Sequence, residues 1–203
     1  MNLKKHCVIS IVCFSLLCLC LGAQSVSAAE QTPQTPTDLA TEDEFFMAQA
    51  LDLARLSIQH GNQPFGAVLV KHGRMAARAE NTAISDGGVY HHAEMNVIHK
   101  AMRDLGLKSL EGHTLYASTE PCVMCCGAIF HSKVDTVVYG ASQAYLGTLI
   151  PDYCAIDIRR IISFCRKKLA VRGPVMQESA ERILADYVNA EKHKRANQEE
   201  TVR

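Results

Sequence analysis

Two short segments carry side chains that could act together on a metal ion. One is His92-Ala93-Glu94, inside the stretch YHHAEMN, and the other, thirty positions on, is Pro121-Cys122-Val123-Met124-Cys125. One imidazole and two thiolates suit zinc, and three protein ligands leave a fourth tetrahedral position for water, as in a catalytic rather than a structural site. Cys122 and Cys125, at i and i+3, share one helix face, and a place at a helix start lowers the pKa of a thiol. Glu94, two residues after His92, is placed to take the water's proton and pass it on, so one carboxylate would serve as base and then as acid. His91 has no carboxylate at that spacing, so His92 is the expected ligand and His91 a loop residue near the pocket mouth. Cys126, i+4 from Cys122, leaves two readings open: a small buried residue, or a fourth ligand that closes a non-catalytic zinc site.

These residues need elements to hold them. A capping-box pattern, Thr41 with Glu44, predicts a helix from Thr41 to about Gly61-Asn62. PFGAVLV, KHGR and MAARAEN read as a hairpin, ISDGGV as a loop, and HHAEMNVIHKAMRDLG as a helix ending at Gly106. HTLYAST, PCVMCCGAIFHSK and DTVVYGA form a strand, helix and strand, so these two strands should be parallel. Beyond a loop come a helix over AIDIRRIISFCRKK, a fifth strand in AVRGPVMQ and a closing helix over ESAERILADYVNAEKHKR. Both metal-binding segments therefore lie where the chain enters a helix, with unsatisfied N–H groups toward the ion. Strands alternating with helices predict a layered α/β domain, and 203 residues suffice for one core.

The beginning of the chain reads differently. Lys4 and Lys5, an apolar run of about 17 residues from Cys7 to Ala23 and the small-residue site Val26-Ser27-Ala28 have the three parts of a secretory signal. The expectation is an exported protein, periplasmic or secreted, with residues 1–28 removed, 29–40 as a flexible tether, 41–196 as the folded domain and 197–203 as a tail. No stable membrane span is expected after cleavage. Of 21 basic and 21 acidic residues, the leader takes Lys4 and Lys5 and no acid, which leaves a net charge of −2 and no global basic footprint for nucleic acid. Five cysteines stay behind, an odd number with three crowded at 122, 125 and 126, which suggests metal rather than disulfides. Cys154 and Cys165 could pair in an oxidising compartment or remain buried thiols.

From about Glu44 to Val138 the chain resembles the cytidine and deoxycytidylate deaminase superfamily, in the branch of guanine deaminases, cytosine deaminases and tRNA adenosine deaminases. The resemblance rests on PFGAVLV, Asn81, HAEMNVI and TLYASTEPCVMCCGAI in that order. It implies a three-layer α/β/α sandwich around a five-stranded mixed sheet, hydrolytic removal of an exocyclic amino group from a base, and a homodimer. Position by position it implies His92, Cys122 and Cys125 as zinc ligands and Glu94 as proton shuttle. It further implies Asn81 as a hydrogen-bonding partner of the substrate, Phe65 as a wall for stacking and the Ala93 N–H as a contact to the base edge. Without that role Phe65 is core packing and Asn81 a strand-ending turn residue. His91 and Cys126 depart from the branch, where these positions are usually small, and the similarity fades past Tyr139, where substrate-selecting loops are expected.

Arg159 to Arg172 holds six basic residues, a patch for phosphates or simply a solvated helix face. An exported protein would not meet cytoplasmic tRNA, so the expected substrate is a free nucleobase or nucleoside, guanine first. Nucleic-acid deamination is the alternative, and a non-catalytic zinc-stabilised binding domain the second.

Overall fold

In a computed structural model, residues 36–166 and 168–201 are described. The expected leader, most of the expected tether, Lys167 and the last two residues lie outside them. Five strands form one sheet in the order β2-β1-β3-β4-β5: β1 (Gly66–Lys71), β2 (Arg74–Glu80), β3 (Thr114–Thr119), β4 (Thr136–Ala141) and β5 (Ala170–Arg172). β1 runs antiparallel to β2 and β3, whereas β3–β4 and β4–β5 are parallel, so the sheet is mixed as expected. His72 and Gly73, both at positive φ, make the two-residue turn whose twist suits the β1–β2 hairpin.

Side chains alternate across the sheet and define two cores. Val68, Val70, Tyr116 and Val138 pack with Met47, Leu51, Leu146 and Leu184, under α1 (Pro36–Gln59), α4 (Gln143–Leu149) and α6 (Gln177–Thr201). Ala67, Leu69, Leu115 and Val137 pack on the other face with Val97, Cys126, Ile129 and Ile158, under α2 (Ala93–His99), α3 (Val123–His131) and α5 (Ile158–Ile162). This is the three-layer α/β/α sandwich. Gly66 is required where α1 crosses β1: a Cβ there would lie 2.2 Å from the Ala50 carbonyl oxygen.

Several boundaries differ from expectation. α1 begins at Pro36, so residues 36–40 are helical rather than tether, and Thr41 does not cap: its Oγ1 donates to the Thr37 carbonyl one turn back. α2 passes into a π-helical turn over Lys100–Asp104 before Gly106, at positive φ, ends it. α4 was not expected, although Ser142 caps it by accepting from the Tyr145 N–H, a signal legible in the sequence. α5 spans five residues rather than the predicted fourteen. Ile158 is buried, but Phe164 is 86% exposed, and the chain leaves the helix to bring Leu169 into the core and Ala170 beside Thr136. α6 continues to Thr201, so residues 197–201 are helix rather than tail. Among the described residues no helix is long and apolar enough to cross a membrane.

Candidate active site

His92 and Cys122 occupy equivalent places, each the N-cap of its helix with extended backbone (φ −68°, ψ 154° and φ −70°, ψ 172°). Neither side chain caps its own helix, so the imidazole and the thiol are free to turn toward each other. Cys125 adds a second sulfur from the first turn of α3. His92 Nδ1, Cys122 Sγ and Cys125 Sγ form a triangle with all three edges at 3.6 Å. A tetrahedral zinc with Zn–S of about 2.3 Å and Zn–N of about 2.0–2.1 Å requires S–S and S–N separations of about 3.8 and 3.5 Å. The donor set and its spacing therefore fit zinc. Among the described residues this is the group of His, Cys and acidic side chains close enough together to hold a metal.

Cys126 does not belong to it. Its thiol points to the Pro121 carbonyl at 3.4 Å and is buried in the core, and burial pushes its pKa up to about 12. His91 is also excluded. Its backbone accepts from Thr82 N–H and Asn96 Nδ2, and its ring lies against Tyr90 at 4.5 Å between centroids. Cys154 is exposed and Cys165 half-buried, both free thiols, so the pairing left open by the sequence is not made.

The electrostatics couple the three ligands to Glu94. The contact with the Cys125 sulfur and then that with His92 draw the Cys122 pKa down to about 4. Cys125 is pushed up by the same contact and by burial. The hydrogen bond to Cys122 holds the His92 pKa above its ordinary value. Glu94 is 7% exposed, and desolvation, followed by the neighbouring Cys122 thiolate, raises its carboxyl to about 7.

A cavity of about 30 Å³, enough for a water molecule, adjoins the triangle. Phe65, His92, Glu94, Thr119, Glu120, Cys122, Gln143 and Tyr153 line it. The expected wall residue Phe65 is thus in place, and Ala93, fully buried, opens α2 between His92 and Glu94. Asn81 is not among the lining residues. It is fully buried, its Oδ1 accepts from Ala83 N–H, and its Nδ2 has no partner.

Sequence reasoning missed the far wall. Glu120 follows β3 and is 2% exposed, with one carboxylate oxygen accepting from the Gln143 N–H and the other from the Ile158 N–H, each at 2.8 Å. It thereby fixes the starts of α4 and α5 over the site. An acid directly before Pro121-Cys122 was a visible signal, but its partners 23 and 38 residues away were not.

Residues 40–141 match the sequence profile of the cytidine and deoxycytidylate deaminase zinc-binding region, half of the chain. The protein belongs to this deaminase family. The deaminase is 46% identical over 101 residues to a tRNA-specific adenosine deaminase of Bacillus subtilis, a match that covers 50% of this chain and 63% of that one. It is 32% identical over 154 residues to a probable cytosine deaminase of Schizosaccharomyces pombe, covering 71% and 91%. The X-ray structure of guanine deaminase from Bacillus subtilis superposes with a TM-score of 0.50 at 33% identity, covering 62% and 77%. Three relatives thus carry three substrate names, the chain spans 63% of the length of the Bacillus subtilis tRNA-specific enzyme, and family membership supports zinc and hydrolytic deamination without naming a base.

Proposed function

We propose that the protein hydrolytically removes the exocyclic amino group of a free nucleobase or nucleoside, with guanine as first substrate. The observation that carries this is Glu94, buried in the cavity beside the ligand triangle with its carboxyl raised to about 7. His92, Cys122 and Cys125 would hold zinc. When bound, zinc lowers the pKa of water to about 7 and so supplies a nucleophile at neutral pH. Glu94 takes one proton of the attacking water and hands it to the ring nitrogen beside the amino-bearing carbon, then carries the second, from the hydroxyl now on that carbon, to the amine, which leaves as ammonia while the carbonyl forms. A carboxyl near pH 7 is poised to gain and lose that proton. Phe65 and Tyr153 exclude solvent. The cavity holds little more than the reacting edge, so the rest of the base lies toward the mouth.

Two basic residues of the 159–172 stretch are engaged elsewhere. Arg159 donates to the Tyr139 hydroxyl and Arg172 forks onto Asp43, which favours a small substrate over a polyanion. The second reading, adenosine in tRNA, is favoured by the 46% identity to the Bacillus subtilis enzyme and would draw on Arg160, Arg166 and Lys168. We also infer export through the 1–28 leader and assembly as a homodimer, which cell fractionation and light scattering would check.

Ammonia release by zinc-loaded protein should be measured with guanine, cytosine, adenine, their nucleosides, pterins and an anticodon stem-loop RNA. Release from guanine is expected, release from the RNA alone would install the second reading, and release from none refutes both. Glu94→Ala should keep stoichiometric zinc while turnover falls by about 10²- to 10⁴-fold.

A further inference from the structure

Two residues of the cavity wall each hold a buried polar atom without a partner, Gln143 Oε1 and Thr119 Oγ1, and are 2% and 5% exposed. A buried polar group with no hydrogen bond is costly and calls for an occupant to satisfy it. The amide of Gln143 is not free to choose its orientation. Its Nε2 faces the Glu120 carbonyl oxygen, which can only accept, so nitrogen must be on that side and oxygen on the other. The backbone N–H of Gln143 is fixed as well, by the Glu120 carboxylate. The Tyr153 phenol is close enough for the amide N–H side to interact with it, but Oε1 itself has no hydrogen-bond partner. A residue of the cavity wall therefore carries an acceptor-only atom that lacks a donor, on a side chain fixed by two hydrogen bonds to Glu120.

We propose that Gln143 is the specificity-determining residue of the site, its Oε1 accepting a hydrogen bond from a ring N–H adjacent to the amino-bearing carbon of the substrate. This rests on the deaminase reading above and narrows it to bases with a ring N–H adjacent to the amino-bearing carbon. Guanine carries N1–H next to C2 and its amino group. Adenine presents an unprotonated N1 next to its amino-bearing carbon, and cytosine an unprotonated N3, so each would set a lone pair against Oε1. Thr119 Oγ1, which can donate or accept, adapts to either kind of edge and so does not discriminate. A site built to bond an N–H rejects a base lacking it because the protein group is then left unpaired.

The test compares kcat/KM for guanine with that for 2-aminopurine, which keeps the amino group but has no N1–H, in zinc-loaded wild type and Gln143→Met, with Gln143→Leu as second variant. Wild type should prefer guanine by roughly tenfold or more, and the variants should bring the ratio toward one with zinc content unchanged. A merely structural role would lower both values and leave the ratio alone. The inference is overturned if wild type treats the two bases alike, or if a folded variant keeps the wild-type ratio. It is also overturned if guanine is untouched while another base releases ammonia, an outcome that leaves the deaminase reading standing. Absence of ammonia release from every base overturns both.

Discussion

Replacing Glu120 probes how the far wall is held. Both carboxylate oxygens accept from buried backbone N–H groups at 2.8 Å, one at the start of α4 and one at the start of α5. A hydrogen bond to a charged group contributes about 1.5–3 kcal/mol, and Glu120→Ala removes two and strands both donors in the interior. Allowing for partial relaxation and entry of water, the loss should be about 3–5 kcal/mol, a large share of the 5–15 kcal/mol typical of a domain. For a chain of this size about 1 kcal/mol moves Tm by about 2–4 °C, so Tm should fall by about 6–20 °C. Glu120→Gln keeps one acceptor and turns an NH2 toward the other N–H, so it should lose an intermediate amount. Circular-dichroism melts of the zinc-loaded proteins, with urea titrations to check that m is unchanged, read the effect. The reasoning fails if Glu120→Ala melts within about 6 °C of wild type, the smallest shift these terms allow.

Other consequences are simpler to check. Asp43 accepts from the Tyr116 hydroxyl at 2.9 Å and from Arg172 Nε and Nη2 at 2.7 Å, tying α1 to β3 and β5. Asp43→Ala should cost about 2–4 kcal/mol in urea unfolding, the lower half applying if the partly exposed guanidinium finds water. Cys126→Ala should leave zinc stoichiometry at one per chain by metal analysis and cost about 1–2 kcal/mol, since its thiol packs in the core and faces Pro121. His113 is 3% exposed and burial holds its pKa below the ordinary value, so the unfolded chain binds that proton more readily. Its contribution to stability is present above about pH 6.5 and is lost as pH falls through the folded pKa. The urea midpoint of wild type should therefore drop more between pH 7.5 and 5 than that of His113→Gln.

The metal triangle was legible because its geometry is local. His92 and Cys122 each open a helix, Cys125 follows one turn later, and the β3–α3–β4 unit that brings the segments together is a connection whose handedness is nearly fixed. The same logic separates His92 from His91 through the spacing to Glu94. Local patterns did less well at element ends. The Thr41-Glu44 pair looks like a cap, yet the helix continues to Pro36 because nothing at Thr41 stops it. AIDIRRIISFCRKK has helical content, but only its first turn has a core to pack against.

By itself, then, the sequence singled out the three side chains that could hold a metal, the acid beside them, the strands and the faces they bury, all of which follow from spacing along the chain. Only the tertiary structure decided the rest of the pocket. Gln143, Tyr153 and Ile158 come from three places past Tyr139, where the resemblance fades, and they converge on Glu120 because the parallel pair β3–β4 ends on one side of the sheet. Which thiols stay out of the site was settled there too: Cys126 by the direction of its side chain, Cys154 and Cys165 by remaining unpaired. Hydrogen bonds between residues distant in the chain leave no periodic trace. Their donors and acceptors are chosen by where packing places the backbone, and that is set by the whole fold.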